Sequence, residues 1–508
     1  MSDNETLKKA GEYRLDICTI ISYRTDPDNA SRPLRLDVQK SLISLSLIED
    51  ITMPCVHGEL TLLDNTDVRT LLPLTGNERL EVRFWTPSYG AFEKVAALEG
   101  ITEPFYIYKM DRVVPSPGGT SRGSVIRIMF TTREAYRNNT CRVSQAFEGP
   151  VENGFFNIMY SDKYLDSRKR FFIEETKTNT KMVMPTVKPF EAIQMLAASA
   201  VSKNYKAGGY LHFETLQGIH FRSIESLMAV GGATARPVKR RFRRQQANVK
   251  DPGGNTDIMK DMEMVRSYSF DNPVDIMTNI DDGVLANRLI VHNAFDKTFT
   301  TTDFDYHKEF GNYFHTEHEH LGTKTAKKYT IPFTTFDGTK KTLSEYPEAY
   351  VSLKSSTSAI HNDYESVPAT LADQSSISQR GLMLTHNLIL NVPGDTNLHA
   401  GDMINFELPY QKPVEEGEKQ ELNPYWAGRY LIISLKHIID QTSQEHMMAI
   451  RCVKDSTLNR LPDQTESHLI NHSTKTKHQV WSINKMDEEW INQNKASIMS
   501  SGPPGRNY

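Results

Sequence analysis

The sequence YRLDICTIISY, residues 13–23, places apolar side chains at alternate positions along most of its length. The apolar residues with odd numbers are Tyr13, Leu15, Ile17, Ile21 and Tyr23. A period of two residues is typical of a β-strand with one buried face. The stretch therefore predicts that the fold opens with a strand whose odd-numbered face is buried.

The alternating pattern continues through the first quarter of the chain. Its phase switches near Lys40, which predicts a bulge or a turn between two strands, because side chains alternate strictly along a strand. The later alternating groups are Val56, Leu60 and Leu62; Leu80, Val82 and Phe84; Tyr106, Tyr108 and Met110; and Ile126, Ile128 and Phe130. About six strands at this spacing predict a first antiparallel β-barrel over residues 13–140.

The period becomes helical after residue 140, which predicts a mixed α/β domain over residues 141–260. Apolar residues at helical spacing predict one helix within 151–165, and Pro189 suits the first position of a second helix. A hairpin around Gly218 and a short helix capped by Ser223 are expected to follow.

The segment 231–255 interrupts this domain with glycines, two prolines and little apolar content. It contains the basic run KRRFRR, residues 239–244. The composition favours a mobile, solvated loop. Two alternatives stay open, namely a loop that docks on an acidic protein surface and a contact with nucleic acid.

The remaining chain divides into three predicted parts. Residues 261–360 are expected to contribute strands and a helix to the mixed domain and to a second barrel. Among them, Leu289 and Val291 are expected to pair with Phe299 and Thr301 in a hairpin. Residues 380–457 carry about four alternating strands, which predict the second β-barrel. Residues 458–508 are polar and are expected to form a tail that orders only on a partner.

Composition excludes several classes of function. The 508 residues carry 59 basic and 63 acidic side chains, a net charge of -4, which gives no general attraction for nucleic acid or an anionic membrane. No apolar run is long enough for a membrane segment, so folding in a cytoplasm is expected. The four cysteines are far apart, which predicts reduced thiols rather than a zinc or redox site.

Motifs for catalysis are absent from the sequence. It has no Gly-x-Ser-x-Gly elbow and no Gly-x-x-x-x-Gly-Lys-Ser/Thr phosphate loop. We therefore predict no enzyme activity, no catalytic residues and no cofactor.

A histidine cluster, His315, His318 and His320, is the nearest approach to a metal signature. Imidazole nitrogens suit zinc or iron, but the spacing fits neither one helix face nor a His-Glu-x-x-His motif. We predict a solvated or interface segment and no metal. If a metal does bind, a structural site on the axis of a trimer is favoured over a catalytic one.

The block from Arg142 to Met228 carries a family resemblance. It contains RVSQAF at 142–147, PFEAI at 189–193 and GYLHFETLQGIHFRSIESLM at 209–228. Together with SLIEDI at 46–51, LPLTGNE at 72–78, GDT at 394–396 and GRYLI at 428–432, it resembles the baseplate hub proteins of contractile-tailed phages of the T-even type. The likeness spans roughly residues 13–457.

This resemblance implies a structural protein. Such hubs are homotrimers in which each chain gives two similar β-barrel tube domains, so that three chains form a pseudo-sixfold ring. The ring is a symmetry adapter between a hexameric tail tube, or its initiator protein, and the trimeric central spike, with baseplate wedge proteins as further partners. The resemblance places the chain in the virion, in a tail baseplate assembled in the host cytoplasm, without specific binding of nucleic acid.

Three rival interpretations stay open. A hub or spike component of a type VI secretion or phage-like injection device shares the architecture. A tail-associated hydrolase of the cell wall predicts a lytic motif, which the sequence lacks. A carbohydrate-binding protein predicts exposed aromatic platforms, for which four tryptophans are available: Trp85, Trp426, Trp481 and Trp490.

Overall fold

The structure is a computed structural model. It describes most of the chain up to residue 457, in these ranges: 7–26, 29–65, 74–87, 103–115, 123–177, 179–206, 208–229, 237–244, 258–271, 275–294, 297–317, 319–320, 342–355, 371–383, 386–409, 422–423 and 425–457. The predicted tail, 458–508, lies outside the described residues.

Seven strands form the first barrel. They are β1 (Arg14–Asp26), β2 (Asn29–Asp37), β3 (Leu42–Asp50), β4 (His57–Asp64), β5 (Arg79–Trp85), β6 (Phe105–Pro115) and β7 (Ser124–Thr131). Their order is β2-β1-β5-β6-β7-β4-β3, and all of these pairs are antiparallel. A 3-10 turn, Gln39–Ser41, joins β2 to β3 at the predicted phase switch.

One apolar core fills this barrel, with side chains such as Leu60, Phe84 and Ile128 contributed by its strands. The buried face of β1 differs from the predicted one. A bulge between Leu15 and Ile17 shifts the register, so that Cys18 and Ile20, rather than the odd-numbered residues around them, enter the core. The irregularity inverts the face because side chains alternate along a strand.

The mixed α/β domain follows directly. Its elements are α1 (Arg133–Thr140), β8 (Ala146–Pro150), α2 (Val151–Tyr160), β9 (Phe171–Ile173), β10 (Asn179–Val183), α3 (Pro189–Ser199), β11 (Tyr210–Thr215), β12 (Gly218–Ser223) and α4 (Ile224–Met228). The predicted helices, the hairpin β11–β12 and the capped short helix are confirmed. Ser223 caps α4, since its hydroxyl accepts a hydrogen bond from the Ser226 N–H at 3.2 Å.

The rest of the described chain contains twelve more strands, interrupted by helices. In chain order the elements are β13 (Val238–Arg244), α5 (Ile258–Met262), β14 (Met264–Val265), β15 (Ser267–Asp271), α6 (Ile276–Asp281), β16 (Ala286–Asn293), β17 (Thr298–Asp305), α7 (Tyr306–Glu309), β18 (Glu319–His320), β19 (Val351–Ser355), α8 (Leu371–Leu382), β20 (Asn387–Pro393), β21 (Met403–Glu407), β22 (Gly428–Asp440), β23 (Glu445–Val453) and β24 (Ser456–Thr457).

The second barrel combines strands from two parts of the sequence. The predicted strands β20 to β23 form one part, and β13, β14 and β15 complete it in the order β13-β21-β22-β23-β20-β15. Since β14 pairs with β13 and runs directly into β15, the ring of strands closes. A separate apolar core, with Leu390, Phe406 and Tyr430, lies inside it.

One prediction for the middle of the chain is wrong, and another is confirmed with its register shifted by one residue. Residues 238–244, predicted as part of a mobile loop, form strand β13 of the second barrel, and the flanking residues of that loop lie outside the described ranges. The hairpin β16–β17 exists, but Leu289 lies opposite Thr302 rather than Thr301. This hairpin joins β19 in a separate three-stranded sheet and contributes no strand to the barrel.

Strand β22 joins the two barrels, because it pairs with β21 and β23 in the second barrel and with β3 in the first. The predicted class, mainly β with a mixed α/β insertion and two barrel-like domains, is confirmed for one chain. None of the described helices has the length and apolar character needed to cross a membrane.

Candidate assembly site

The two barrels share one arrangement of strands. In the first, β4 pairs with β7, β7 with β6, and β6 with β5. In the second, β20 pairs with β23, β23 with β22, and β22 with β21. β3 and β15 occupy matching places beside β4 and β20. The barrels differ at one edge, where β1 is antiparallel to β5 but β13 is parallel to β21.

The residue registers match through the first bulge of the long strand, beyond which β6 has a second irregularity, between Met110 and Arg112, that β22 lacks. Leu80 lies opposite Phe105 in the first barrel, and Ile404 lies opposite Tyr430 in the second. In each barrel the long strand then bulges at the same place. The irregularity falls between Ile107 and Lys109 in β6. In β22 it falls between Ile432 and Ser434. A bulge that recurs at one register position is a designed feature of a strand rather than a defect.

The turns that precede β5 and β21 repeat one hydrogen-bonding device. The Glu78 carboxylate accepts the Thr75 N–H at 3.0 Å, and the Asp402 carboxylate accepts the His399 N–H at 3.0 Å. Each turn contains a glycine with positive φ, Gly76 at 93° and Gly401 at 88°, where other residues are strained. The two barrels are therefore repeats of one unit, although the sequence shows no repeat by identity.

The backbone carbonyls of the same two residues, Glu78 and Asp402, anchor the long strands. The Ile107 N–H donates to the Glu78 carbonyl at 3.0 Å, and the Ile432 N–H donates to the Asp402 carbonyl at 2.9 Å. Ile107 and Ile432 thus occupy equivalent positions. Ile107 follows the residues of β6 that pair with β5, and Ile432 precedes the residues of β22 that pair with β3.

The junction between the barrels is a ladder of strand pairs. Ser434–Asp440 of β22 runs antiparallel to Ser44–Asp50 of β3. The ladder is extended at one end by the Ile51 N–H, which donates to the Ile433 carbonyl at 3.0 Å. Ile439 of the second barrel reaches into the core of the first. The two barrels are therefore joined by the pairing of strand β22 with strand β3.

Glu49 lies at the centre of this junction and is fully buried. Its Oε1 accepts the Leu216 N–H of the mixed domain at 2.8 Å, and its Oε2 accepts the Ala400 N–H of the second barrel at 2.8 Å. His399 Nδ1 lies 3.0 Å from Oε1. Burial alone would raise the pKa of the Glu49 carboxyl, but His399 and these donors hold that pKa below its ordinary value.

Two more histidines, His437 and His446, are buried beside Glu49. His437 Nδ1 lies 3.1 Å from His446 Nε2, and the Phe84 ring packs edge-on against both imidazoles. Burial lowers the pKa of His437 to about 4 and holds that of His446 well below its ordinary value. Both histidines are therefore neutral at pH 7.

A second buried polar cluster fixes the mixed domain to the first barrel. The Lys169 ammonium forms ion pairs with Glu134, at 2.5 Å, and with Glu214. Glu214 also accepts the Thr132 hydroxyl at 2.7 Å and the Val56 N–H at 3.2 Å. Burial alone would lower the pKa of Lys169, but the two carboxylates raise it, so the lysine stays charged. Satisfied donors and acceptors of this kind are expected of a structural cluster.

The predicted histidine cluster does not assemble into a metal site among the described residues. His315 is buried and uses both ring nitrogens, Nδ1 with Asp455 at 2.6 Å and Nε2 with the Phe310 carbonyl at 3.0 Å. Of the predicted alternatives, a solvated segment is therefore wrong for His315, whereas an interface segment stays a prediction. The backbone of His320 pairs with Ser456, whereas His318 lies outside the described residues. Within the described ranges, no three metal-ligating side chains come together.

The basic run is held by carboxylates of this chain. Arg240 Nε lies 2.6 Å from Asp395, and Lys239 Nζ lies 2.8 Å from Asp402. Arg241 and Arg243 both pair with Glu407. These ion pairs therefore hold β13 in place as a strand of the second barrel.

The residues of the junction carry no sequence pattern that predicts their role. Glu49, His399, His437 and His446 are polar residues within or beside strand patterns, and no catalytic or metal-binding motif marks them, although Glu49 lies in the string SLIEDI of the family resemblance. All four cysteines are free, as predicted, and three of them are buried.

Comparison with known proteins gives only distant matches. No protein-family model matches the chain, and no curated protein is similar in sequence. Among solved structures, the chain is similar to a tail protein from Neisseria meningitidis MC58, with a TM-score of 0.44 and 9% identity over 86% of this chain and 97% of that one.

Two further structures give likenesses of the same order. The 43 kDa tail protein of prophage MuSo2 from Shewanella oneidensis has a TM-score of 0.44 and 9% identity, over 86% of this chain and 98% of that one. An Escherichia coli component of the type VI secretion system has a TM-score of 0.36 and 7% identity, over 83% of this chain and 76% of that one. At these TM-scores and identities, the function of this chain has to be argued from its own residues.

Proposed function

We propose that this protein is the structural hub of a contractile phage tail baseplate, a homotrimer that joins a hexameric tail tube to a trimeric central spike. The observation that carries the proposal is the repeat of one barrel within one chain. The repeat keeps the strand order, the bulge and the turn hydrogen bonds of the first barrel in the second.

The repeat answers a problem of symmetry. A chain with two equivalent barrels presents six equivalent units when three copies assemble, and six units match a hexameric tube while the chain itself keeps threefold symmetry for the spike. Closed rings of this type require a head-to-tail interface that repeats at each step. The edge pairing of β22 with β3 is one such step, built within a single chain.

The buried polar clusters are expected in a protein that must keep its domains in place under mechanical force. Glu49 and Glu214 each join two or three domains through hydrogen bonds to backbone and side-chain groups. Such groups fix one relative placement of the domains, because moving them apart would leave buried donors and acceptors unpaired. A rigid adapter between tube and spike needs that property.

The setting in a phage tail rests on the sequence strings shared with T-even-type hubs. A type VI or phage-like injection device remains the alternative setting for the same architecture. Tube, spike and wedge proteins are the partners that the proposal names.

Electron microscopy of the purified chain tests the proposal. End-on class averages are expected to show a ring of six similar lobes with threefold symmetry and a central channel. Isolated particles with two lobes, at every protein concentration and also in the presence of a cognate spike protein, would overturn it.

A further inference from the structure

Strand β6 is the counterpart of β22, but half of it has no partner strand in the described part of the chain. β6 pairs with β5 only at Phe105 and Tyr106, and its remaining length pairs with β7 on one side alone. In β22, the equivalent half is the part that pairs with β3. Among the described strands, this half of β6 is therefore an edge without a partner strand, whereas the equivalent half of β22 is paired with β3.

The second barrel offers the complementary edge. β15 is the counterpart of β3, and among the described strands it pairs with β20 alone. Its inward residues, Tyr268 and Phe270, pack against the barrel core, whereas Ser267, Ser269 and Asp271 are exposed. A strand edge of this kind is a template for pairing with another chain.

We propose that β6 of one copy pairs antiparallel with β15 of the next copy and so repeats, between chains, the β22–β3 junction that each chain contains. This inference rests on the proposed trimer and names its interface. The occupant is a second copy of this chain because the geometry of the junction is already present once within it.

The register of the interface follows from the repeat when positions are matched through the partner strands β7 and β23, because β6 has a second irregularity, between Met110 and Arg112, that β22 lacks. Phe130 in β7 and Cys452 in β23 are equivalent, because they lie opposite Ile107 and Ile432. Val114 lies opposite Val125, which is five residues before Phe130. Ile438 lies opposite Met447, which is five residues before Cys452. Val114 is thus equivalent to Ile438. In the same way Ser269 is equivalent to Ser46, because Phe270 and Leu47 occupy matching places opposite Leu388 and Gly58.

Within the chain, Ile438 lies opposite Ser46. The interface therefore places Val114 opposite Ser269 of the next copy. The predicted ladder ends near Pro115, which has no N–H to donate.

Tyr108 supplies independent support. It is the residue between Ile107 and Lys109, at the bulge of β6, and 47% of its surface is exposed. Its counterpart at the bulge of β22, Ile433, is 5% exposed because it packs against Ile51 and the mixed domain. Tyr108 is therefore exposed at the position where the β22–β3 junction within the chain buries Ile433.

Disulfide trapping tests the interface in the full-length protein, with Cys141→Ser in every variant to remove the one partly exposed thiol. The pair Val114→Cys with Ser269→Cys is expected to form intermolecular disulfides that end at a covalent trimer. The pair Ser46→Cys with Ile438→Cys is the matched control and should cross-link within one chain. Moving one cysteine to Ser267 should abolish trapping, because diagonal Cα atoms about 7–8 Å apart exceed disulfide reach.

The outcomes separate this inference from the proposed function. A threefold mass by light scattering with no intermolecular disulfide, while the control pair cross-links, would overturn the interface and leave the trimer standing. Equal trapping through Ser267 would overturn the register. A single-chain mass without trapping would overturn both, and open ladders longer than a trimer would contradict closure.

Discussion

The Glu49 carboxylate accepts hydrogen bonds from backbone N–H groups of two other domains while being fully buried. A side chain in this position stabilises the molecule through the donors that it satisfies. Removing an acceptor leaves buried donors unpaired, which costs about 1–3 kcal/mol for each group.

We expect Glu49→Gln to lower the free energy of unfolding by about 1–3 kcal/mol, because its amide turns a donor toward other donors. Glu59→Gln is the matched control. Glu59 pairs with Arg127 on the surface of the same barrel, where an ion pair contributes about 0–1 kcal/mol. Denaturant unfolding of both variants measures the difference, and equal losses would contradict the role given to Glu49.

His437 makes the junction sensitive to acid. Its pKa is about 4 in the folded chain and near 6.5 when unfolded, so protons bind the unfolded chain more readily between these values. Stability is complete above pH 6.5 and is lost as the pH falls toward 4, by about 2 kcal/mol at pH 5 for this one group.

We therefore expect His437→Gln to show a smaller loss of stability between pH 7 and pH 5 than the unmodified chain. His292→Gln, on the outer sheet away from the junction, should keep the original difference. Thermal unfolding at the two pH values measures it. An unchanged difference in His437→Gln would show that the buried histidine does not govern acid sensitivity.

At the scale of elements, β13 shows how a charged segment becomes a barrel strand. Its carboxylate partners, Asp395, Asp402 and Glu407, lie far along the chain. Arg240 is mostly buried against Asp395, whereas Arg241 is about half exposed beside Glu407. Burial decides which of these ion pairs stabilises the fold.

Arg240→Ala is expected to destabilise the chain by about 3 kcal/mol, because it leaves the buried Asp395 carboxylate without its cation. Arg241→Ala, on the same strand, should cost about 0–1 kcal/mol. Thermal unfolding of the two variants gives the comparison. Similar small losses would mean that the basic run is solvated after all.

The elements that could be predicted from sequence are those with a regular apolar period. The strands around Leu60 and Leu390 and the helix that begins at Pro189 follow from that period alone. β13 could not be predicted, because its charges are balanced by residues that only the fold brings near. The face of β1 could not be predicted either, since the bulge after Leu15 leaves no signal in the alternation.

The assembly site was not predictable for the same reason. The equivalence of the barrels lies in registers, in a shared bulge and in turn hydrogen bonds, and not in residue identity. Glu78 and Asp402, for instance, share a role but differ in type. Only the family resemblance predicted two similar barrels.

At the scale of the whole molecule, Tyr108 should report assembly. We expect Tyr108→Asp to shift the protein from trimer toward single chains, because the bulge of β6 would carry a charge into the interface. Tyr160→Asp is the matched control, since Tyr160 is equally exposed, at 47%, on the mixed domain. Sedimentation velocity distinguishes the two. A trimer that tolerates both substitutions would place the interface elsewhere.

The most direct test of the central claim is the mass of the purified chain by light scattering, alone and with its cognate spike protein. We predict three times the 57.8 kDa of one chain for the protein alone, or, where trimerisation needs the spike, a complex whose mass is three chains plus the bound spike. A mass of one chain in both conditions, across a wide range of protein concentration, would contradict the account.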